Sequence, residues 1–286
     1  MKTYRLKFII LAFSICLVQQ VYPQSSASDS SFHPYHVNYW VTGGTIVAGL
    51  TLEKIGIAWI SNKDPISTGE LQNLDRNDIS AIDSWALKFN PSNVGYYKRL
   101  SNVTASVTAF LPALTMLDHN IRRDWLDVLL IYMQTQALTN NFYLYSPFGA
   151  SFQNRLRPVV YYTAVDFADR TTSNNRNSLY SGHVADAAEA SFFTAKIYCD
   201  YHPELGNNKY FVYGAAAIPP LIMSYARLGA LAHFPTDLMV GFGVGAACGI
   251  LVPELHRLQD KNISVTLYSS PEATGIAMTW QTDFLK

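Results

Sequence analysis

Two uncharged stretches, residues 100–117 and 238–253, place the tightest limits on what this chain can fold into. Each is close to the minimum length that crosses a bilayer as a helix, and far too long for an ordinary strand. They belong to a series of six helix-like apolar segments, over 39–60, 102–117, 124–145, 183–198, 210–231 and 236–252. Three of the others are interrupted by charge: Glu53 and Lys54, then Asp127, then Asp186 and Glu189. The series predicts an all-α fold, a single bundle of about six core helices over residues 38–260. In the polar region 61–100, NDISAIDSWALKF opens with a capping signal at Asn77 or Asp78 and predicts an amphipathic helix. The tail differs: ISVTLYSS and ATGIAMTWQ bracket Pro271 and Glu272, which predicts a short β-hairpin within 261–286.

The N-terminus adds a second constraint. Lys2, Arg5 and Lys7 precede an apolar run from Phe8 to Val18, and small polar residues follow. This reads as a signal peptide over residues 1–24, followed by a flexible Ser-rich segment, 25–37. The implied location is the cell envelope, either membrane-associated with the site facing outward or soluble in the periplasm. HNIRRDW, between the second and third segments, reads as a cytoplasmic turn by its basic residues. An exported N-terminus and a spanning first segment would invert that arrangement, so the two signals conflict. Net charge is zero and charged residues are 15% of the chain, which excludes a basic nucleic-acid footprint. Past the signal, Cys199 and Cys248 read as buried free thiols, not a disulfide framework.

Three clusters carry the chemistry. QNRLRPVVY holds Arg155, Arg157 and Pro158; YSGHVADA holds Ser181, Gly182 and His183; ARLGALAHFPTD holds Arg227, His233 and Asp237. Guanidinium groups suit phosphate because they stay charged and pair with two oxygens at once. A Ser-Gly pair opening a helix adds a hydroxyl, bare backbone N–H groups and the positive dipole end. Phosphoryl transfer needs little more than such positioning and charge neutralisation.

In this order the clusters resemble the type 2 phosphatidic acid phosphatase superfamily, which includes bacterial acid phosphatases and vanadium-dependent haloperoxidases. The resemblance covers roughly residues 80–255 and implies a helical bundle with its site at helix ends. It implies a phosphatase that needs no metal or other cofactor, acting on phosphomonoesters or lipid (pyro)phosphates, with vanadate able to occupy the phosphate site. By the same resemblance His233 is the nucleophile, Asp237 holds its other ring nitrogen, and His183 is the general acid and then base. Arg157, Arg227, Ser181 and the Gly182 amide cradle the phosphate. At i, i+4, His233 and Asp237 can share one helix face, with Pro235 in the first turn.

One position departs from the family pattern: Ala150 stands where a lysine is expected, seven residues before Arg157. That loss removes roughly a few kcal/mol of transition-state stabilisation unless another cation replaces it. Arg155 is the nearest candidate, as a further phosphate-binding residue. Two alternatives follow: a vanadate-dependent haloperoxidase-like enzyme, and a catalytically degenerate protein that binds phosphorylated lipid at the membrane. Asp166 and Arg170 could shape the substrate mouth.

Overall fold

A computed structural model describes residues 33–258, 263–269 and 274–280 of the 286-residue chain. The signal-peptide reading and most of the Ser-rich segment therefore lie outside the described residues. Seven longer helices build the domain: α1 (Tyr39–Ser61), α2 (Val94–Leu114), α3 (Trp125–Tyr145), α4 (Gly182–Tyr201), α5 (Lys209–Ala216), α6 (Ile218–Gly229) and α7 (Pro235–Leu258). The fold of this domain is all-α, as the segment series implied. In the tail, Ile263–Ser269 is paired antiparallel with Thr274–Trp280. The residues that would form the turn, 270–273, lie outside the described residues, so the hairpin remains an expectation.

Two helical expectations are corrected. The apolar segment 210–231 is not one helix: it breaks at Ala217 into α5 and α6. Pro219 and Pro220 cause the break, because they donate no backbone hydrogen bond and favour a first helical turn. The 61–100 region forms no amphipathic α-helix over NDISAIDSWALKF but two short 3₁₀ turns, Arg76–Asp78 and Asp83–Lys88. Local side-chain bonds compete with a helix there: Asp75 accepts from Asn77 N, and Ser80 Oγ accepts from Asp83 N.

Helix α4 is the axis of the bundle. It packs against α2, α3, α5, α6 and, most extensively, α7. The α4–α7 contact is close because Gly241, Gly245 and Gly249, spaced by four, present bare backbone to α4. A Cβ at these positions would stand 2.5 Å from Ser181 O, 2.0 Å from Ala185 O and 2.5 Å from Glu189 O. Small residues at this spacing allow helix backbones to approach, as in membrane bundles. One apolar cluster, including Ile131, Leu138, Phe193 and Ile197, fills the middle. A second, with Val184, Met223, Leu228, Phe234 and Leu238, lies where α4, α6 and α7 converge.

Three described helices are long and apolar enough to cross a membrane: Tyr39–Ser61, Pro91–Leu117 and Pro235–Arg257. Their outer faces expose large apolar side chains such as Trp40, Val103, Phe110, Met239 and Leu251. Such surface suits a bilayer and not water. At the end of the bundle where α1 begins, Asp200 joins Lys196, Arg257 and Tyr35, and Asp124 bonds His33 and Tyr201. The Arg122–Arg123 turn is at this end, next to Asp124.

Candidate active site

At the opposite end the three sequence clusters meet. Arg157 is the N-cap of the 3₁₀ turn Pro158–Tyr161, and its backbone N–H donates to Asn175 O at 2.9 Å. Its guanidinium donates to Asn177 O at 3.4 Å, while Nε has no partner among the described residues. Ser181 is the N-cap of α4, so the Gly182 amide lies at the positive end of a 20-residue helix. Arg227 sits in the last turn of α6. Between α6 and α7 the chain turns sharply at Leu231, whose φ of 54° is unusual for a non-glycine residue. Leu231 O accepts from Val159 N at 3.0 Å, which ties this turn to the Arg157–Pro158 segment. Arg157, Gly182, His183, Arg227 and His233 thereby line one cavity of about 830 Å³.

The hydrogen bonds assign the His233 tautomer. Nδ1 lies 2.7 Å from Ser178 O, an acceptor, so Nδ1 carries the proton. Nε2 lies 3.3 Å from an Arg227 Nη2 donor and keeps its lone pair. Burial, then Arg227 and Arg157, hold the His233 pKa well below the usual histidine value, so the ring is neutral at physiological pH. A neutral imidazole with its free nitrogen beside two guanidiniums can act as a nucleophile toward an anion held there.

His183 has its pKa lowered to about 4, by burial first and then by Arg227 and Arg157, although its side chain is exposed at the cavity. A dianion bound between the arginines offsets their charge and raises that value. Anion binding then takes up a proton, and affinity falls as pH rises above the free-state pKa. Sulfate, dianionic throughout, is expected to bind more weakly at about pH 7 than at about pH 5. His183→Gln should flatten the difference. Titration calorimetry at both pH values checks this, and equal wild-type affinities would exclude the linkage.

Residues 124–261, which contain all three sequence clusters, match the model of the PAP2 superfamily. Over this segment the chain is similar to the PAP2 superfamily. No curated protein matches the chain. A similar solved structure is the "Crystal structure of the first transmembrane PAP2 type phosphatidylglycerolphosphate phosphatase from Bacillus subtilis", at 21% identity and a TM-score of 0.42. The match covers 73% of this chain and 94% of that one.

Within this segment three expected placements differ. First, His233 precedes α7 and shares no helix face with Asp237. Asp237 does not bond the His233 ring. As the third helical residue it accepts from Phe234 N at 2.8 Å, half of a capping box, and from Ser178 Oγ at 2.6 Å. Second, Arg155 does not face the phosphate cavity. It bridges Asp83 and Asp237 on the far side of His233, so it is no substitute for the missing lysine. Third, Ser181 is fully buried behind Gly182, its Oγ without a partner among the described residues, and does not line the cavity.

Ala150 is itself fully buried. A lysine does reach it, from the end of α1: Lys63 Nζ donates to Ala150 O and Gln153 O, both at 2.6 Å. Lys63 fastens the loop before Arg157 and is not on the cavity wall, where Lys98 of α2 is the additional cation. Asp166 is not on that wall, and Arg170 donates to Val160 O. Lys98, Tyr143, Ser178 and Asp83 carried no sequence signal, because each reaches the site from a separate element.

Proposed function

We propose that this protein is a metal-independent phosphatase acting on a phosphate carried by a membrane lipid, through a phosphohistidine at His233. The similarity of residues 124–261 to the PAP2 superfamily supports a phosphatase. The lipid assignment rests on one observation: the cavity is bordered by Glu53 and Ile57 of α1 and by Val94, Lys98 and Asn102 of α2. Helix α1 packs on α3, whereas α2 packs on α4 and α6, so two bilayer-length helices border the cavity from opposite sides. A lipid tail can stay between them while its phosphate reaches Arg157 and Arg227.

In the reaction, the His233 Nε2 lone pair attacks phosphorus, the P–O bond to the lipid breaks, and His183 gives its proton to the leaving oxygen. Water then attacks the phosphohistidine, His183 takes its proton, and the N–P bond breaks to release phosphate. Arg157, Arg227 and the α4 N-terminus supply the positive charge that the equatorial oxygens need. Turnover should therefore survive chelators. The test is phosphate release from phosphatidate in vesicles against a soluble chromogenic monoester, with acid-free trapping of phosphohistidine. Preferential release from vesicles and a trapped intermediate are expected. Release confined to the soluble ester would overturn the lipid assignment, and anion binding without any trapped intermediate would indicate a degenerate binding protein. Halide oxidation that required added vanadate would place it with the haloperoxidases instead.

The site faces outward in this reading, because it lies at the opposite end from the basic Arg122–Arg123 turn. Helix α1 then runs outward, so the conflict with an exported N-terminus falls on the residues before Tyr39. In intact cells an impermeant maleimide is expected to label Asn62→Cys and to spare Asn120→Cys. The reverse pattern would place the site inside.

A further inference from the structure

Behind His233 lies a buried set of contacts that touches no part of the phosphate cavity. Asp83, 3% exposed, accepts from Thr236 N at 3.0 Å and from Arg155 Nη2 at 2.6 Å. It caps the start of α7 from a distant segment and holds one arm of Arg155. The other arm, Nη1, donates to Asp237 Oδ1 and to Thr236 Oγ1 at 2.8 Å. Asp237 Oδ2 accepts from Ser178 Oγ at 2.6 Å, and Ser178 N donates to Arg155 O at 3.0 Å. Ser178 O then holds His233 Nδ1 at 2.7 Å. Every polar atom of Ser178 is thus committed, two of them through Arg155 or its partner Asp237. The Arg155 guanidinium also lies 4.7 Å from the Phe234 ring centre, next to the nucleophile in sequence.

We infer that Asp83 and Arg155 are positioning residues for His233, acting through Asp237 and Ser178 to fix the Nδ1–H tautomer and the aim of Nε2. A carboxylate bonded directly to the ring would itself hold that proton. Here a neutral carbonyl does so, and the two carboxylates act one link removed, with Arg155 bridging them. The inference rests on the His233 reading above, yet the ring's tautomer can be observed without turnover. Arg155 is 30% exposed, and a small cavity of about 260 Å³, lined by Asp78, Ser80, Asp83, Tyr161 and Phe234, opens beside it. A small cation can enter there.

The experiment compares full-length wild type with Arg155→Ala, Arg155→Lys and Asp83→Asn in detergent. Its readouts are ¹⁵N imidazole spectra, sulfate affinity and phosphate release. Arg155→Ala is expected to blur or shift the His233 Nδ1–H signal and to lower kcat about tenfold to a hundredfold. Sulfate affinity and KM should stay near wild type, because Arg155 touches no phosphate. Guanidinium ion should restore part of kcat and the signal in Arg155→Ala, and Arg155→Lys should retain more of both than the alanine variant. An unchanged His233 signal in Arg155→Ala and Asp83→Asn would overturn the inference, as would loss of sulfate affinity equal to that of Arg157→Ala. Absence of phosphate release by the wild type would instead overturn the catalytic reading, leaving the spectra to decide the positioning role.

Discussion

His233→Ala is expected to abolish phosphate release, lowering kcat by roughly 10⁴-fold or more, which corresponds to about 5 kcal/mol of activation free energy. In the proposed reaction no other described group replaces it: Nε2 is the lone pair that faces the cavity beside Arg227, and His183 is assigned to the leaving oxygen. The substitution also leaves the Ser178 carbonyl without its donor in a buried setting, at a cost of about 1–3 kcal/mol in stability. Folded yield must therefore be measured beside activity. Sulfate should still bind, because Arg157, Arg227 and the Gly182 amide remain. A variant that binds sulfate, melts cooperatively and still releases phosphate at the wild-type rate would remove His233 from the mechanism.

Gly245→Ala should be the most damaging added methyl group among the described glycines. Its Cβ would lie 2.0 Å from the backbone oxygen of Ala185, and backbone in the middle of a packed helix has nowhere to go. Helices α4 and α7 would have to separate, at a cost on the order of 3 kcal/mol or more. Both carry the site: α4 begins with Gly182 and His183, and α7 with the Asp237 turn. Loss of folded protein is expected, with activity falling in any residue that survives purification. Gly243→Ala is the control, since nothing lies within 4 Å of its added Cβ and alanine is the better helix former. Equal thermal stability of the two variants would show that the glycine seam does not set the helix spacing.

The helical class was legible because apolar segments of 16–22 residues have few other ways to satisfy their backbone. Their ends were less so. The extra turns at the start of α2 are polar and carry no hydrophobic period, and the Pro219–Pro220 break is invisible to a count of apolar residues. The glycine seam of α7 was written in the sequence at a spacing of four, but its meaning depended on which helix lay opposite.

The residue types at the site, and their order, were fixed before any fold was known. Two arginines and a Ser-Gly helix start already pointed to an anion, and the family resemblance implied that the two histidines act as nucleophile and proton donor. Tertiary structure alone decided which polar groups meet. Asp237 lies four residues from His233, yet the turn at Leu231 and the helix start at Pro235 send its carboxylate to Ser178 and Arg155. Arg155, two residues from Arg157 on the cavity wall, points to the other side of His233. Asp83, Ser178 and Lys63 join from elements 59 to 153 residues away along the bonds they make, and no local pattern announces them. Chemistry is carried by residue type, which the sequence displays; partnership is carried by distance in space, which only packing determines.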